Sequence, residues 1–276
     1  MSRTTTIDDI KIYSDYDNPK FKVYRKAGNF PSNLTFGFEN EIVYDVSDCS
    51  DRFNNKVAKF MIKKPYLYLK NECSCNGVEL NSHPFTYDFF LSLTKSKKND
   101  FISELSSLHS PQQFYINNSC GYHIHICRSY FNKKHLVKMV KFFYDPKNTK
   151  FLFNISRRTR NSFDEWASPY VPYKYGKVRY KFEEIASCGR SKFVREMDDK
   201  SSILNLYPYK TIELRLFKGT TNQRVFRAYL EFALAVTMFT KETDYDEISI
   251  RSFKKFVKRN IGDYKNLDGL IRNPRK

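Results

Sequence analysis

The sequence predicts an α+β chain built on a mainly antiparallel, curved sheet with helices on one face. Two observations carry this. Residues 36–42, 120–126 and 211–217 alternate polar and apolar side chains with the two-residue period of strands, whereas 222–238 repeats apolar residues at helical spacing. Asn76-Gly77 and Tyr207-Pro-Tyr-Lys210 punctuate neighbouring extended runs as hairpin turns do, and hairpins pair strands antiparallel.

Taken in order, residues 1–32 are polar and aromatic with Asp, Asn, Gly and Pro punctuation, which fits an N-terminal arm or peripheral extension. A strand is expected at 34–46, then a polar stretch, then an extended run over 66–70 that turns at Asn76-Gly77 into 78–80. Segments 85–93 and 101–108 have helical spacing, with Pro84 suited to open a first turn and a basic turn over 95–100 between them. After the strand at 120–126, Asn132 can cap a helix whose apolar positions are Leu136, Val137, Met139, Val140, Phe142 and Phe143, ended by Asp145-Pro146. Residues 156–195, rich in Arg, Tyr and Pro, read as loop. A hairpin follows over 203–206 and 211–217, then the long helix from Asn222, a short helix over 246–258 and a basic tail. The expected organisation is an arm at 1–32, one domain at 33–258 and a tail at 259–276.

A chain of 276 residues can bury a sizeable core, and 17% aromatic residues exclude wholesale disorder. Lys and Arg total 48 against 30 Asp and Glu, a formal charge of +18 that points to a nucleic acid, a nucleotide or an acidic protein partner. The lysines are spread along the chain, so a generally basic surface explains the charge equally well. The six cysteines show no paired Cys-x-x-Cys spacing. The N-terminus has no apolar core and no run approaches membrane-spanning length, so a cytoplasmic protein with reduced thiols and no membrane partner is expected.

The chemistry lies on the three alternating runs. Glu39 and Glu41 share one strand face, as do His123 and His125, and Glu213 and Arg215. Two carboxylates on one face repel unless a cation or an Arg lies between them, and Mg²⁺ prefers such oxygen ligands. Imidazoles at i and i+2 could bind zinc, yet the other polar runs offer mainly Glu. Glu213 and Arg215 could form an ordinary salt bridge; alternatively Glu213 ligates metal while the planar Arg215 guanidinium meets phosphate. Glu72 and Glu79 flank the Asn-Gly turn and could face each other from paired strands, Glu79 being the better ligand because it sits within Val78-Glu-Leu80. Asn118, Gly121, His123 and His125 form Asn-x-x-Gly-x-His-x-His.

The order of motifs, Glu-x-Glu, then Gly77-Val-Glu-Leu-Asn81, Cys120-Gly-Tyr-His-Ile-His125 and Thr211-Ile-Glu-Leu-Arg-Leu-Phe-Lys-Gly-Thr220, resembles the amidoligase family over roughly residues 34–240. The resemblance implies a glutamine synthetase-like catalytic fold and an ATP-dependent carboxylate–amine ligase working through an acyl phosphate. By position it implies Glu39, Glu41, Glu72, Glu79, His123 and Glu213 as ligands of two or three Mg²⁺ or Mn²⁺ ions. Asn118 and Gly121 match the substrate loop, with His125 beside it, and Arg215 the phosphate-contacting Arg. Arg157 and Arg158 resemble a Ser-Arg-Arg segment able to meet nucleotide phosphate. Thr211 stands where glutamine synthetases often have Arg, and Glu72 where many amidoligases have Asp. The substrates implied are a small-molecule or peptide carboxylate and an amine. A metal-dependent hydrolase or nuclease, or a noncatalytic nucleic-acid-binding protein, would use the same groups or the same charge differently.

Overall fold

The computed structural model describes residues 6–14, 17–94, 100–169 and 202–274. The chain divides into two units, residues 1–122 with 219–226 and residues 123–218 with 227–276.

The first unit contains strands β1 (Ile12–Tyr13) and β2 (Thr35–Val43), helix α1 (Asp51–Ile62), strands β3 (Leu67–Glu72), β4 (Gly77–Ser82) and β5 (Phe85–Thr86), and helices α2 (Tyr87–Thr94) and α3 (Phe101–Ser107). Hydrogen bonding orders its strands β1-β3-β4-β2, with β5 also on β2. All these pairs are antiparallel except β1 with β3. The β3–β4 hairpin turns where the sequence predicts it. Asn76 takes the left-handed φ of 51°, and a side chain on Gly77 would collide with the Ile42 carbonyl. Phe36, Phe38, Asn40 and Ile42 project from one face of β2 and are almost completely buried. Phe38 is the hub of an aromatic core, with its ring 5.0 Å from Phe226, 5.8 Å from Tyr122 and 6.2 Å from Phe85. Asn40 stays satisfied there because its side-chain amide pairs with both the carbonyl and the N–H of Thr220, each at 3.0 Å.

Strand β6 (Gly121–Cys127) passes into the second unit after Tyr122. That unit holds helices α4 (Lys133–Tyr144), α5 (Thr149–Ser156) and α6 (Arg160–Trp166), strands β7 (Leu204–Asn205) and β8 (Thr211–Lys218), the long helix α7 (Gln223–Glu242) from Arg227 onward, α8 (Ile250–Arg259) and α9 (Lys265–Arg272). Its strand order is β6-β8-β7. Ile124, Ile126, Ile212, Leu214 and Leu216 are fully buried, as their alternation requires. A second aromatic core joins the helices: the Phe253 ring lies 5.1 Å from Phe142, 5.7 Å from Phe232 and 5.5 Å from Phe239.

Several local expectations change. The polar stretch after β2 is helix α1, whose N-cap Ser50 accepts from the Phe53 N–H and which buries Phe53, Val57, Phe60 and Met61 at helical spacing. The segment expected as a helix from 85 begins as strand β5, because Thr86 and Phe85 pair with Thr35 and Phe36. Within the expected loop 156–195, residues 160–166 form a helix capped by Thr159. Residues 265–272 of the basic tail are helical and bury Leu267 and Leu270. The rest of that loop beyond Pro169, the turn over 95–99 and Cys188 lie outside the described residues.

Candidate functional site

Register builds the first cluster. On β2 and β4, Glu39 lies opposite Asn81 and Glu41 opposite Glu79. On β3, Tyr68 lies opposite Asn81, Lys70 opposite Glu79 and Glu72 opposite Gly77. Residues opposed across a ladder share a face, so Glu39, Glu41, Glu72, Glu79, Tyr68, Lys70 and Asn81 occupy one side of three adjacent strands. Glu72 and Glu79 are therefore diagonal neighbours rather than directly facing residues, because the turn sets Glu72 against Gly77. Glu41, Glu72 and Glu79 each place a ligand atom within 4.8 Å of the others.

Burial makes this cluster electrostatically costly. Glu41 and Glu79 are only 6% and 9% exposed. Desolvation, then the charge of Glu39, and further those of Glu72 and Glu41, push the Glu79 carboxyl up to about 9 despite a hydrogen bond from Asn81. Asn81 Nδ2 donates to Glu79 Oε2 at 3.2 Å, and the Gly121 N–H donates to Glu41 Oε2 at 2.5 Å. Burial, then the charges of Glu39 and Glu79, also raises the Tyr68 phenol. The donor set of Glu41, Glu72 and Glu79 is all carboxylate oxygen, the ligand type of a hard divalent cation. Ligand atoms within 4.8 Å of one another are close enough to share one ion through metal–oxygen bonds of roughly 2.0–2.6 Å. The residues present fit Mg²⁺ or Mn²⁺.

The second unit carries the other predicted groups. Glu213 is 5% exposed, and its two oxygens have different partners. Arg215 Nη1 donates to Oε1 at 2.5 Å, with His123 Nδ1 at 3.7 Å from the same oxygen, while Asn205 Nδ2 donates to Oε2 at 2.8 Å. Asn205 reaches it because the β7–β8 register sets the two residues opposite each other. His123 is 3% exposed, and His125, less buried, lies with Nδ1 3.1 Å from the Thr211 hydroxyl. The combination of carboxylate, imidazole and guanidinium can hold a cation and an oxyanion side by side.

The two arginines of the Ser-Arg-Arg segment are placed differently. Arg157 closes α5 in the left-handed conformation at φ 60°, with Nη1 donating to the Pro274 carbonyl at 3.0 Å. Arg158 is 3% exposed and donates to the Leu216 carbonyl and the Ser162 hydroxyl. The first of these bonds ties Arg158 to strand β8 at the residue that follows Arg215. Asn118 is exposed in the loop before β6.

Sequence reasoning assigned no role to Asn81, Lys70, Tyr68, Asn205 and Thr211. Asn81 carried a signal, since it stands two residues after Glu79 and must share its face. Asn205 and Lys70 carried none without a register.

Among the described residues no helix is long and apolar enough to cross a membrane. No curated protein sequence matches the chain. A family model described as "Putative amidoligase enzyme" matches residues 42–237, a span that includes Glu72, Glu79, Asn118, Gly121, His123, His125, Arg157, Arg158, Glu213 and Arg215. With well over half of its length matched, the chain belongs to this amidoligase family.

Proposed function

We propose that the protein is an ATP-dependent carboxylate–amine ligase that forms an amide or peptide-type bond through an acyl phosphate, on a glutamine synthetase-like catalytic domain spanning residues 33–258. The observation that carries this reading is the family match over residues 42–237, a span containing strands β4, β6 and β8 with their polar faces. In the reaction a carboxylate oxygen of the substrate attacks the γ-phosphorus of ATP, and the bond to ADP breaks. The amine nitrogen then attacks the acyl carbon, phosphate leaves, and the nitrogen loses a proton.

Glu39, Glu41, Glu72 and Glu79 in the first unit, and His123 and Glu213 in the second, would hold Mg²⁺ or Mn²⁺. A divalent ion there supplies positive charge against the ATP phosphates. Asn81 fixes the orientation of Glu79, and Gly121 that of Glu41. Arg215 presents a planar donor fork to the transferring phosphoryl oxygens, with Glu213 and Asn205 fixing its direction. Arg158 acts as a positioning residue through the β8 backbone, and Arg157, by resemblance, would meet nucleotide phosphate. Asn118, Gly121 and His125 serve the substrate.

The test incubates the protein with ATP, Mg²⁺ or Mn²⁺, and a panel of amino acids and peptides. ADP and phosphate should form only when a carboxylate and an amine are both present, with the amide detected by mass. Metal-dependent cleavage of a peptide or nucleic acid without nucleotide, and no ATP turnover with any pair, would replace the ligase by a hydrolase.

A further inference from the structure

Helix α8 (Ile250–Arg259) carries five cations in ten residues: Arg251, Lys254, Lys255, Lys258 and Arg259, all exposed. Their spacing of i, i+3, i+4, i+7 and i+8 sets them within an arc of about 140° at 3.6 residues per turn. The opposite arc is apolar and already covered, since Phe253, Phe256 and Val257 are 0%, 6% and 1% exposed. Lys258 and Arg259 suit the helix C-terminus, but Arg251 sits in a first turn without an acid. The pairs 251/255, 254/258 and 255/259 repel at i, i+4. Among the described residues none of the five enters an ion pair, and Lys254 lies over the Phe151 ring at 5.4 Å. Beside the arc a cavity of about 550 Å³ is lined by Thr243, Ser252, Lys255, Lys258 and Arg259, with Glu247 its single acid.

We propose that this face of α8 binds the phosphate backbone of a nucleic acid duplex. The arc runs about 12 Å along the helix axis, long enough to meet successive phosphates of a duplex that carries one negative charge per roughly 1.7 Å of its own axis. The cavity hydroxyls add donors for phosphate or sugar oxygens. A membrane surface or an acidic protein fits less well. Insertion into lipid or a protein–protein hot spot needs exposed apolar groups, and the apolar side of α8 is buried. A phosphate row needs only the cations, and the +18 charge of the whole chain favours its approach.

The probe is a fluorescently labelled 20-base-pair duplex, titrated by anisotropy across a salt series. Lys254→Gln/Lys255→Gln/Lys258→Gln is compared with Lys56→Gln/Lys59→Gln/Lys63→Gln, which removes three exposed lysines on or just after α1 and lowers the net charge equally. The α8 variant should lose at least about tenfold in affinity, and its salt slope should fall by about 2 to 3, near 0.9 per phosphate contact. The α1 variant should change less than about twofold, and ATP turnover should be unaltered in both. Arg251→Gln/Arg259→Gln, at the ends of the same arc, repeats the test without disturbing the stem over Phe151, and thermal melts confirm folding. Equal losses in the α8 and α1 variants, or no duplex binding by the native protein, would overturn the proposal. Tighter binding of polyglutamate or of phosphatidylserine vesicles than of the duplex would overturn it in favour of an acidic protein or a membrane.

Discussion

Replacing Glu79 by Gln should stabilise the metal-free protein at neutral and alkaline pH while removing most of its response to divalent metal. Glu79 is buried opposite Glu41, and burial with the charges of Glu39, Glu72 and Glu41 lifts its carboxyl from 4.5 to about 9. The folded state therefore keeps a proton that the unfolded chain releases near pH 4.5. Between those values the native state binds more protons, so stability falls as pH rises, by about 1.4 kcal/mol per pH unit. From pH 5 to pH 8 this amounts to about 4 kcal/mol in the native protein and nothing in Glu79→Gln. At roughly 2–4 °C per kcal/mol for a chain of this size, the variant's advantage in Tm should widen by on the order of 10 °C. The amide keeps an oxygen for Asn81, whose Nδ2 lies 3.2 Å from the native carboxylate, so packing is preserved. Mg²⁺ or Mn²⁺ at about 100 times its Kd should raise native stability by about 2.7 kcal/mol, and that of the variant much less. Thermal unfolding at one-unit pH steps, with chelator or with metal, measures both. A gap between the two proteins that stays constant from pH 5 to pH 8, or equal stabilisation of both by metal, refutes the reasoning.

Three further outcomes are expected. Glu41→Ala and Glu213→Ala should abolish ATP turnover while unfolding stays cooperative, and Arg215→Lys should impair turnover because an ammonium lacks the guanidinium fork; unaltered turnover in both Glu variants would sink the ligase assignment. Asn40→Ala strands both the N–H and the carbonyl of Thr220 in the core and should lose about 2–4 kcal/mol in denaturant unfolding, whereas a loss below about 1 kcal/mol would show that the bonds are replaced. Glu231, buried while accepting from Asn266 and the Leu267 N–H, is pushed up to about 7, chiefly by desolvation. Native stability should therefore fall from pH 4.5 to 7 relative to Glu231→Gln and run parallel above pH 7, and parallel curves throughout would contradict the burial argument.

The candidate residues were legible because strand alternation is a local property. Any strand through Glu39-Asn-Glu41, His123-Ile-His125 or Glu213-Leu-Arg215 must turn those pairs to one side, and the buried Ile124, Ile126, Ile212 and Leu214 confirm which side is core. Turn and cap chemistry was local too: Asn76-Gly77 makes its hairpin, and Asn132 caps α4 through the His135 N–H. Helix α1 was less legible. Its cap at Ser50 precedes a polar-looking segment whose apolar stripe of Phe53, Val57, Phe60 and Met61 matters only once something covers it.

What the sequence by itself determined is thus which side chains share a face, since backbone geometry imposes a two-residue period whatever the partner strand. Only the tertiary structure decided which faces' residues meet. Glu41 and Glu79 are far apart in the chain, and nothing local specifies that they stand opposite each other. That register is fixed by burial of Phe38, Ile42 and Leu80, because a slip of one residue would turn those side chains to the polar side. The same logic placed Asn205 on Glu213 and Asn81 on Glu79. Pairing depends on long-range burial, and short-range spacing carries no record of it.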